Sequence, residues 1–276
     1  MVRRLAVIGG LSKDSIASLG QVPGHGGMSR AQKHRELGGR GLNVAIAAYR
    51  CCHPRPASGV VQQDDKDDLE VRMIGAVASE ELKKEFSTWM QANGVIADGV
   101  QVLEGEQDEM DSWMDGENGR TKQIFVPGVA EQWTTDHFDT IEKVGGGVKP
   151  DLVVVTMEIP RLVVQQIIET AYAVNVEVIV YASPGIRLVS EHYQKMTHLI
   201  CNDADAAKIL AYTPEEVQVD TYPKMCEQFV NDGDLGVPNV VIRMGHQGAC
   251  FKNAHAEGFV SGFMQNSEIV DGTGTR

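Results

Sequence analysis

Short apolar runs recur along the chain, separated for the most part by segments of helical periodicity, and this alternation limits the fold more than any other feature of the sequence. The runs are "LAVIG" (5–9), "VRMIGAV" (71–77), "QIFV" (123–126), "DLVVVTM" (151–157), "VEVIVYA" (176–182), "THLICN" (197–202) and "NVVIRMG" (239–245). They read as buried strands. Helical patterns lie at 42–50, 80–93, 161–174, 203–211 and 222–232. In "RLVVQQIIETAYAV", Leu162, Val163, Ile167, Ile168, Ala171 and Val174 are expected on one stripe, with Pro160 just before the start. The alternation predicts the α/β class, a central, mainly parallel sheet flanked by helices.

Two stretches break the rhythm. Residues 11–37 are polar and glycine-rich, and 100–122 are acidic, with Trp113 and the turn signal "DGENG" (115–119). Segments 11–37 and 100–127 are therefore expected to form a hairpin or small β lid beside the main sheet, either over a ligand or as an ordinary surface excursion. The stretch 54–68 reads as a solvated loop. Its Asp64, Asp65, Asp67 and Asp68 do not make a calcium loop, because Leu69 stands where an EF-hand needs glycine. No fixed repeat and no Pro/Ser-rich linker divides the chain, so residues 1–276 are expected to form one domain.

With 276 residues, 42% of them hydrophobic, the chain can bury a sizeable core. A formal charge of −13 with no basic block argues against nucleic acid or anionic membrane as partner and favours small-molecule chemistry. Cys51, Cys52, Cys201, Cys226 and Cys250 show no C-x-x-C pair, which suits a reduced, cytoplasmic setting. The apolar run after Arg3 and Arg4 is too short for a signal peptide, and no stretch approaches a membrane span.

The histidines lack H-x-x-x-H or H-E-x-x-H spacing, and neither a P-loop nor a G-x-S-x-G elbow is present. "VIGGLS" lacks the G-x-G-x-x-G order, which argues against a dinucleotide oxidoreductase. "GGRGLNVAIAAYR" (38–50) instead sets a glycine-rich turn directly before a helix, an arrangement suited to an anionic or hydroxyl-rich ligand. Polar residues also stand at strand ends: Asp14 after the first strand, Arg40 and Asn43 at that helix start, Glu158 after "DLVVVTM" and Asn202 after "THLIC". Singly, each reads as a cap; ligands of an open parallel sheet collect beyond the carboxyl ends of strands, where these residues can converge.

In these motifs the chain resembles the ribokinase, or PfkB, family of carbohydrate and nucleoside kinases along essentially its whole length. "VIGGLSKD" (7–14) is similar to the first strand leading to a substrate-binding Asp, here Asp14. "GGRGLNVAIAAYR" resembles the first signature, G-G-K-G-A-N-x-A, with Arg40 for Lys and Asn43 retained. "MIGAVASEE" (73–81) resembles G-x-V-G-x-D, with Ala78 and Glu80 departing from it, and "VPGVA" (126–130) resembles P-G-A-N with Ala130 for Asn. "VTMEIP" (155–160) looks like the strand whose Glu, here Glu158, contacts the sugar. "NDAD" (202–205) resembles N-x-x-E with Asp205 for Glu, "IRMGHQGA" (242–249) resembles V-T-x-G-x-x-G with Arg243 for Thr, and "VDGTGTR" (270–276) resembles the start of D-T-x-G-A-G-D.

The resemblance implies a ribokinase-like fold and transfer of the γ-phosphoryl group of ATP to a sugar or nucleoside hydroxyl. It implies that Asp14, Gly39, Arg40, Asn43 and Glu158 hold the sugar, that Asn202, Arg243 and Gly245 serve the nucleotide, and that Asp205 helps place Mg2+ through water. Gly274 and Thr275 would open the anion hole, while Asp271 and Thr273 match positions near a monovalent cation such as K+. Aligned residue by residue, Arg276 falls on the second glycine of G-A-G-D, so the general-base Asp of the family has no counterpart in this sequence. The expectation is a truncated or diverged member with impaired catalysis, or a pseudokinase that binds sugar or nucleotide without turning it over. Pairing of lid strands between two chains would give a homodimer.

Overall fold

The computed structural model describes residues 2–19, 27–28, 32–53, 69–105, 109–116 and 121–262. In the first strand, β1 (Arg3–Ile8), Leu5 and Val7 enter one packed cluster while Ala6 and Ile8 enter another. Successive side chains of a strand point to opposite faces, so a sheet covered on both sides needs apolar residues at every position. The chain continues through β2 (Ser12–Leu19), β3 (Gln32–Gly38), α1 (Arg40–Cys52), β4 (Leu69–Val77), α2 (Glu80–Ala92) and β5 (Ile96–Val102). Next come β6 (Met110–Gly116), β7 (Thr121–Val126), α3 (Ile141–Val144), β8 (Leu152–Thr156), α4 (Arg161–Ala173), β9 (Glu177–Tyr181) and α5 (Ser190–Lys195). The described part closes with β10 (His198–Asn202), α6 (Asp203–Leu210), α7 (Tyr222–Asn231), β11 (Asn239–Arg243), β12 (Gly248–Asn253) and β13 (Glu257–Ser261).

The central sheet has nine strands in the order β13-β12-β11-β10-β9-β8-β1-β4-β5. Every neighbouring pair from β11 to β5 is parallel, and β12 and β13 extend one edge antiparallel. Chain order reverses at β1, which has β4 on one side and β8 on the other. The carboxyl ends of β1 and β8 therefore flank a topological switch point, where an open α/β sheet leaves a crevice.

On one face, Leu42, Ala45 and Tyr49 of α1 pack with Leu82, Phe86 and Met90 of α2; on the other, Val163, Val164, Ile167 and Ile168 of α4 pack with Met225 and Phe229 of α7. Helix α7 meets β12 where the Sγ atoms of the free thiols Cys226 and Cys250 stand 3.2 Å apart. Phe86 is fully buried. Phe86→Ala is expected to lower the unfolding free energy by about 3–5 kcal/mol, seen as an earlier urea midpoint with unchanged slope.

A second, four-stranded sheet has the order β3-β2-β6-β7, with β2 and β6 parallel and the outer pairs antiparallel. Segment 11–37 supplies β2 and β3. In segment 100–127 the first residues complete β5, and later ones form β6 and β7. The run "QIFV" thus belongs to the second sheet rather than to the buried one, and Ile124 is exposed. Two residues expected on the α4 stripe fall off it: Leu162 is 64% exposed because its helical angle sends it opposite Val164 and Ile168, and Val174, also exposed, stands beyond the last turn as C-cap. The 54–68 stretch lies outside the described residues. Among the described residues no helix is long and apolar enough to cross a membrane.

Candidate functional site

The crevice is built where two glycine pairs meet. Gly9–Gly10 leads from β1 into β2, and Gly38–Gly39 leads from β3 into α1. A Cβ on Gly39 would lie 2.4 Å from the Gly10 carbonyl oxygen and 2.9 Å from the Ser12 nitrogen, and Gly39 has φ +102°. Only glycine meets both conditions.

Carboxylates converge on this meeting point. Glu158, just beyond β8, has a fully buried side chain whose Oε1 lies 2.5 Å from Arg40 Nη1, while Oε2 accepts from the Arg40 backbone N–H at 3.2 Å. Helix α1 starts at Arg40 with Gly39 as N-cap and no side-chain cap, so Glu158 satisfies an open first-turn donor from across the fold and complements the helix dipole. A Cβ on Gly10 would be 2.6 Å from Glu158 Oε2 and 2.2 Å from Oε1 of the buried Glu109. Glu109 is tied to β2, its carbonyl accepting from Lys13 N–H at 3.0 Å. Asp14, on β2 and half-buried, accepts from Ser12 Oγ at 2.5 Å, and its Oδ2 lies 2.1 Å from where a Gly38 Cβ would stand. Asn43 lies exposed one turn into α1, its N–H donating to Gly39 O at 3.0 Å.

The structure thus gathers Asp14, Gly39, Arg40 and Glu158, with Asn43 on the adjoining turn. Arg40 and Glu158 are engaged with each other, a pairing that no local pattern in the chain announces. Glu109 was not singled out from the sequence, because "EGEQDEMD" offers several equivalent carboxylates and no spacing that distinguishes one.

Farther along the same sheet edge, Asn202 at the end of β10 caps α6, its Oδ1 accepting from Asp205 N–H at 2.7 Å. Asp205, 4% exposed, accepts through Oδ1 from Gly185 N–H at 2.8 Å and lies 3.5 Å from Lys208 Nζ. Asn202 pairs in register with Arg243, the last residue of β11. Gly245 follows at φ +56°, exposed, with open space where a side chain would project.

Between the two groups stands Tyr181, the last residue of β9. Its hydroxyl accepts from Arg243 Nη2, and the guanidinium lies 5.0 Å from the ring centroid. Burial pushes the phenol above its ordinary value; Arg243 and Arg40 pull it down, and Asp205 and Glu158 push it up. Charges from both ends of the crevice therefore meet at this one side chain. Sequence reasoning missed it, although a polar tip closing an apolar parallel strand is a usable signal. Burial also raises Tyr193, whose hydroxyl accepts from Leu188 N–H. Unfolded phenols lose their protons near 10.0 while these stay protonated, so their stabilising contribution is complete below that pH and declines above it. Alkaline titration is expected to show late phenolate absorbance for both, with stability falling as they ionise.

A model of the pfkB family of carbohydrate kinases matches residues 4–275. The chain belongs to that family. It is 25% identical over 224 residues to a ribokinase of Schizosaccharomyces pombe, a match covering 80% of this chain and 64% of that protein. The chain thus spans just under two thirds of the length of that curated relative. Among solved structures, a ribokinase from Giardia lamblia superposes with a TM-score of 0.75 at 17% identity, covering 98% of this chain and 78% of the other. An Arabidopsis thaliana ribokinase complexed with ribose and ATP gives 0.73 at 18% identity, covering 99% and 82%. The pfkB-family chain has the ribokinase-like fold.

For magnesium, Asp205 brings to the end of β10 a carboxylate, the oxygen-donor type that a hard cation takes, with its Oδ1 accepting from Gly185 N–H. Asp271, Thr273, Gly274 and Thr275 of this pfkB-family chain lie outside the described residues.

Proposed function

We propose that this chain transfers the γ-phosphoryl group of ATP to a hydroxyl of a ribose-like sugar or a nucleoside, bound where the central sheet meets the four-stranded sheet. The reading is carried by the meeting of the two glycine pairs, with Asp14, Glu109, Glu158 and Arg40 gathered round it at the β1/β8 switch point. A ring of carboxylates repels an anionic ligand and suits a neutral one rich in hydroxyl donors. In this reading Asp14 accepts from sugar hydroxyls, Asn43 bonds them from the first turn of α1, and the bare Gly39 backbone permits close approach. Glu158 holds Arg40 in one direction. Asn202, Arg243 and Gly245 serve the nucleotide along the same sheet edge. Magnesium, associated with Asp205 through water, supplies charge neutralisation on the phosphates when bound. Gly274 and Thr275 as anion hole, and Asp271 and Thr273 beside K+, belong to the same reading. The four-stranded sheet acts as lid, and its outer strands β3 and β7 offer main-chain groups to a second copy. Similarity to ribokinases, one of them complexed with ribose and ATP, supports ribose as the first sugar to test.

A second reading, ligand binding without turnover, is favoured by the internal engagement of the proposed ligand groups: Arg40 with Glu158, and Asp205 with Gly185 and Lys208. One experiment separates the two. ADP release is followed with ATP, magnesium and a panel of ribose, other pentoses, hexoses and nucleosides, alongside the melting temperature with each ligand. Turnover establishes the kinase, stabilisation without ADP release establishes the binder, and neither response refutes both.

A further inference from the structure

Helix α7 turns Tyr222, Met225, Cys226 and Phe229 into the core, and against it β12 turns Cys250, the buried residue of that strand. The two Sγ atoms stand 3.2 Å apart, and both thiols are free. No sugar- or nucleotide-binding assignment uses either residue. Cys201 on β10 shares the same core, and it and Cys250 flank β11 as register partners of Ile242 from its two sides. Neighbouring strands lie about 4.8 Å apart, so two strand spacings put the Cα atoms of Cys201 and Cys250 roughly 10 Å from each other. A disulfide cannot close beyond about 7 Å. Cys51 and Cys52 are exposed neighbours in α1, where consecutive side chains do not face each other. Cys226 and Cys250, by contrast, come from separate elements and meet at their sulfurs.

We propose that Cys226 and Cys250 form a reversible modification site, a dithiol that hydrogen peroxide converts to a disulfide stapling α7 to β12. Cys226 is 1% exposed and Cys250 3%, which shuts out a bulky reagent and selects an oxidant near the size of water. It enters when the edge of the sheet opens locally, since β13, the outermost strand beside β12, is largely exposed. The thiolate of one cysteine attacks a peroxide oxygen to give a sulfenic acid and, with a proton, water; the second thiol then displaces water from the sulfenic sulfur. Two S–H bonds and the O–O bond break, and one S–S bond and two O–H bonds form. The sulfurs lose two electrons, and the peroxide is reduced to two waters. A small thiol reverses the bond by exchange. The bond joins positions 24 apart and encloses β11 with Arg243 and Gly245, so oxidation ties that sheet edge to its covering helix. The site stands whether or not the chain turns over a sugar.

In the test the full chain, reduced and with Cys51 and Cys52 blocked by iodoacetamide, is treated with hydrogen peroxide, unfolded, alkylated again and mapped by peptide mass spectrometry. The expected result is a Cys226–Cys250 cross-link, seen as a loss of two hydrogens across the linked peptides, with Cys201 alkylated. The oxidised chain is expected to melt about 5–10 °C above the reduced one, and dithiothreitol to return it to the starting value. Cys201→Ser is expected to keep the cross-link and Cys226→Ser to lose it; the wild-type map decides the matter should the latter variant not fold. Alkylation of both Cys226 and Cys250 after peroxide, a cross-link of either to Cys201, or stepwise addition of oxygen to either overturns the proposal. A cross-linked chain that melts no higher than the reduced one overturns the stapling of α7 to β12.

Discussion

Gly39→Ala is expected to abolish any sugar-dependent activity and to destabilise the fold together with it. A Cβ there would stand 2.4 Å from a carbonyl oxygen and 2.9 Å from an amide nitrogen, both in the main chain, so no side-chain rotation can relieve the contact. The dihedrals φ +102° and ψ 142° lie in a region that costs a non-glycine residue about 1–3 kcal/mol before any clash is counted. Gly147 offers a reference for a positive φ without a clash. It has the same φ of +102° but nothing within 4 Å of its would-be Cβ. Gly147→Ala should therefore show the backbone cost alone, and Gly39→Ala a larger fall in melting temperature. Equal falls in the two variants would mean that the two glycine pairs do not press on each other as described.

Glu158→Ala carries the second large effect. The carboxylate is fully buried and is shared between the Arg40 guanidinium and the open N–H of α1, so its removal leaves the guanidinium without that counter-charge and the helix start without its acceptor. Breaking one side of a buried pair costs about 3–5 kcal/mol. Glu158→Gln keeps an acceptor for the Arg40 amide and is expected to cost less, about 1–3 kcal/mol. Urea midpoints measure both. In the kinase reading the sugar KM rises in both variants while the ATP KM stays near wild type.

The central sheet was legible because its strands are covered on both faces, which leaves an uninterrupted apolar signature in "LAVIG", "DLVVVTM" and "VEVIVYA". Edge and lid strands carry no such mark. β13 is largely exposed, β12 is half-buried, and β5 interrupts its apolar positions with Asp98 and Gly99, so the sequence concealed all of them. "QIFV" shows the converse: an apolar run with an exposed Ile124 belongs to the four-stranded sheet. At the site, the glycine-rich start of α1 and the strand-end positions of Glu158 and Asn202 could be read because the chain itself fixes where a strand stops. What pairs with what could not, since Arg40 and Glu158 are 118 positions apart and meet only through the β1/β8 crossover. Glu109 and Tyr181 were hidden for the same reason, as their significance comes from neighbours brought by other strands.

The two glycine pairs also join the sheets. The chain enters the four-stranded sheet through Gly9–Gly10 and leaves β3 through Gly38–Gly39, so the residues that meet at the candidate site are also those that tie the second sheet to the first. Gly128, where the chain comes back from β7, presses on the Glu109 backbone in the same place. The backbone that ties the second sheet to the first is therefore the same backbone that surrounds the carboxylates of Asp14, Glu109 and Glu158. A substitution that alters this joint alters the surroundings of those carboxylates with it.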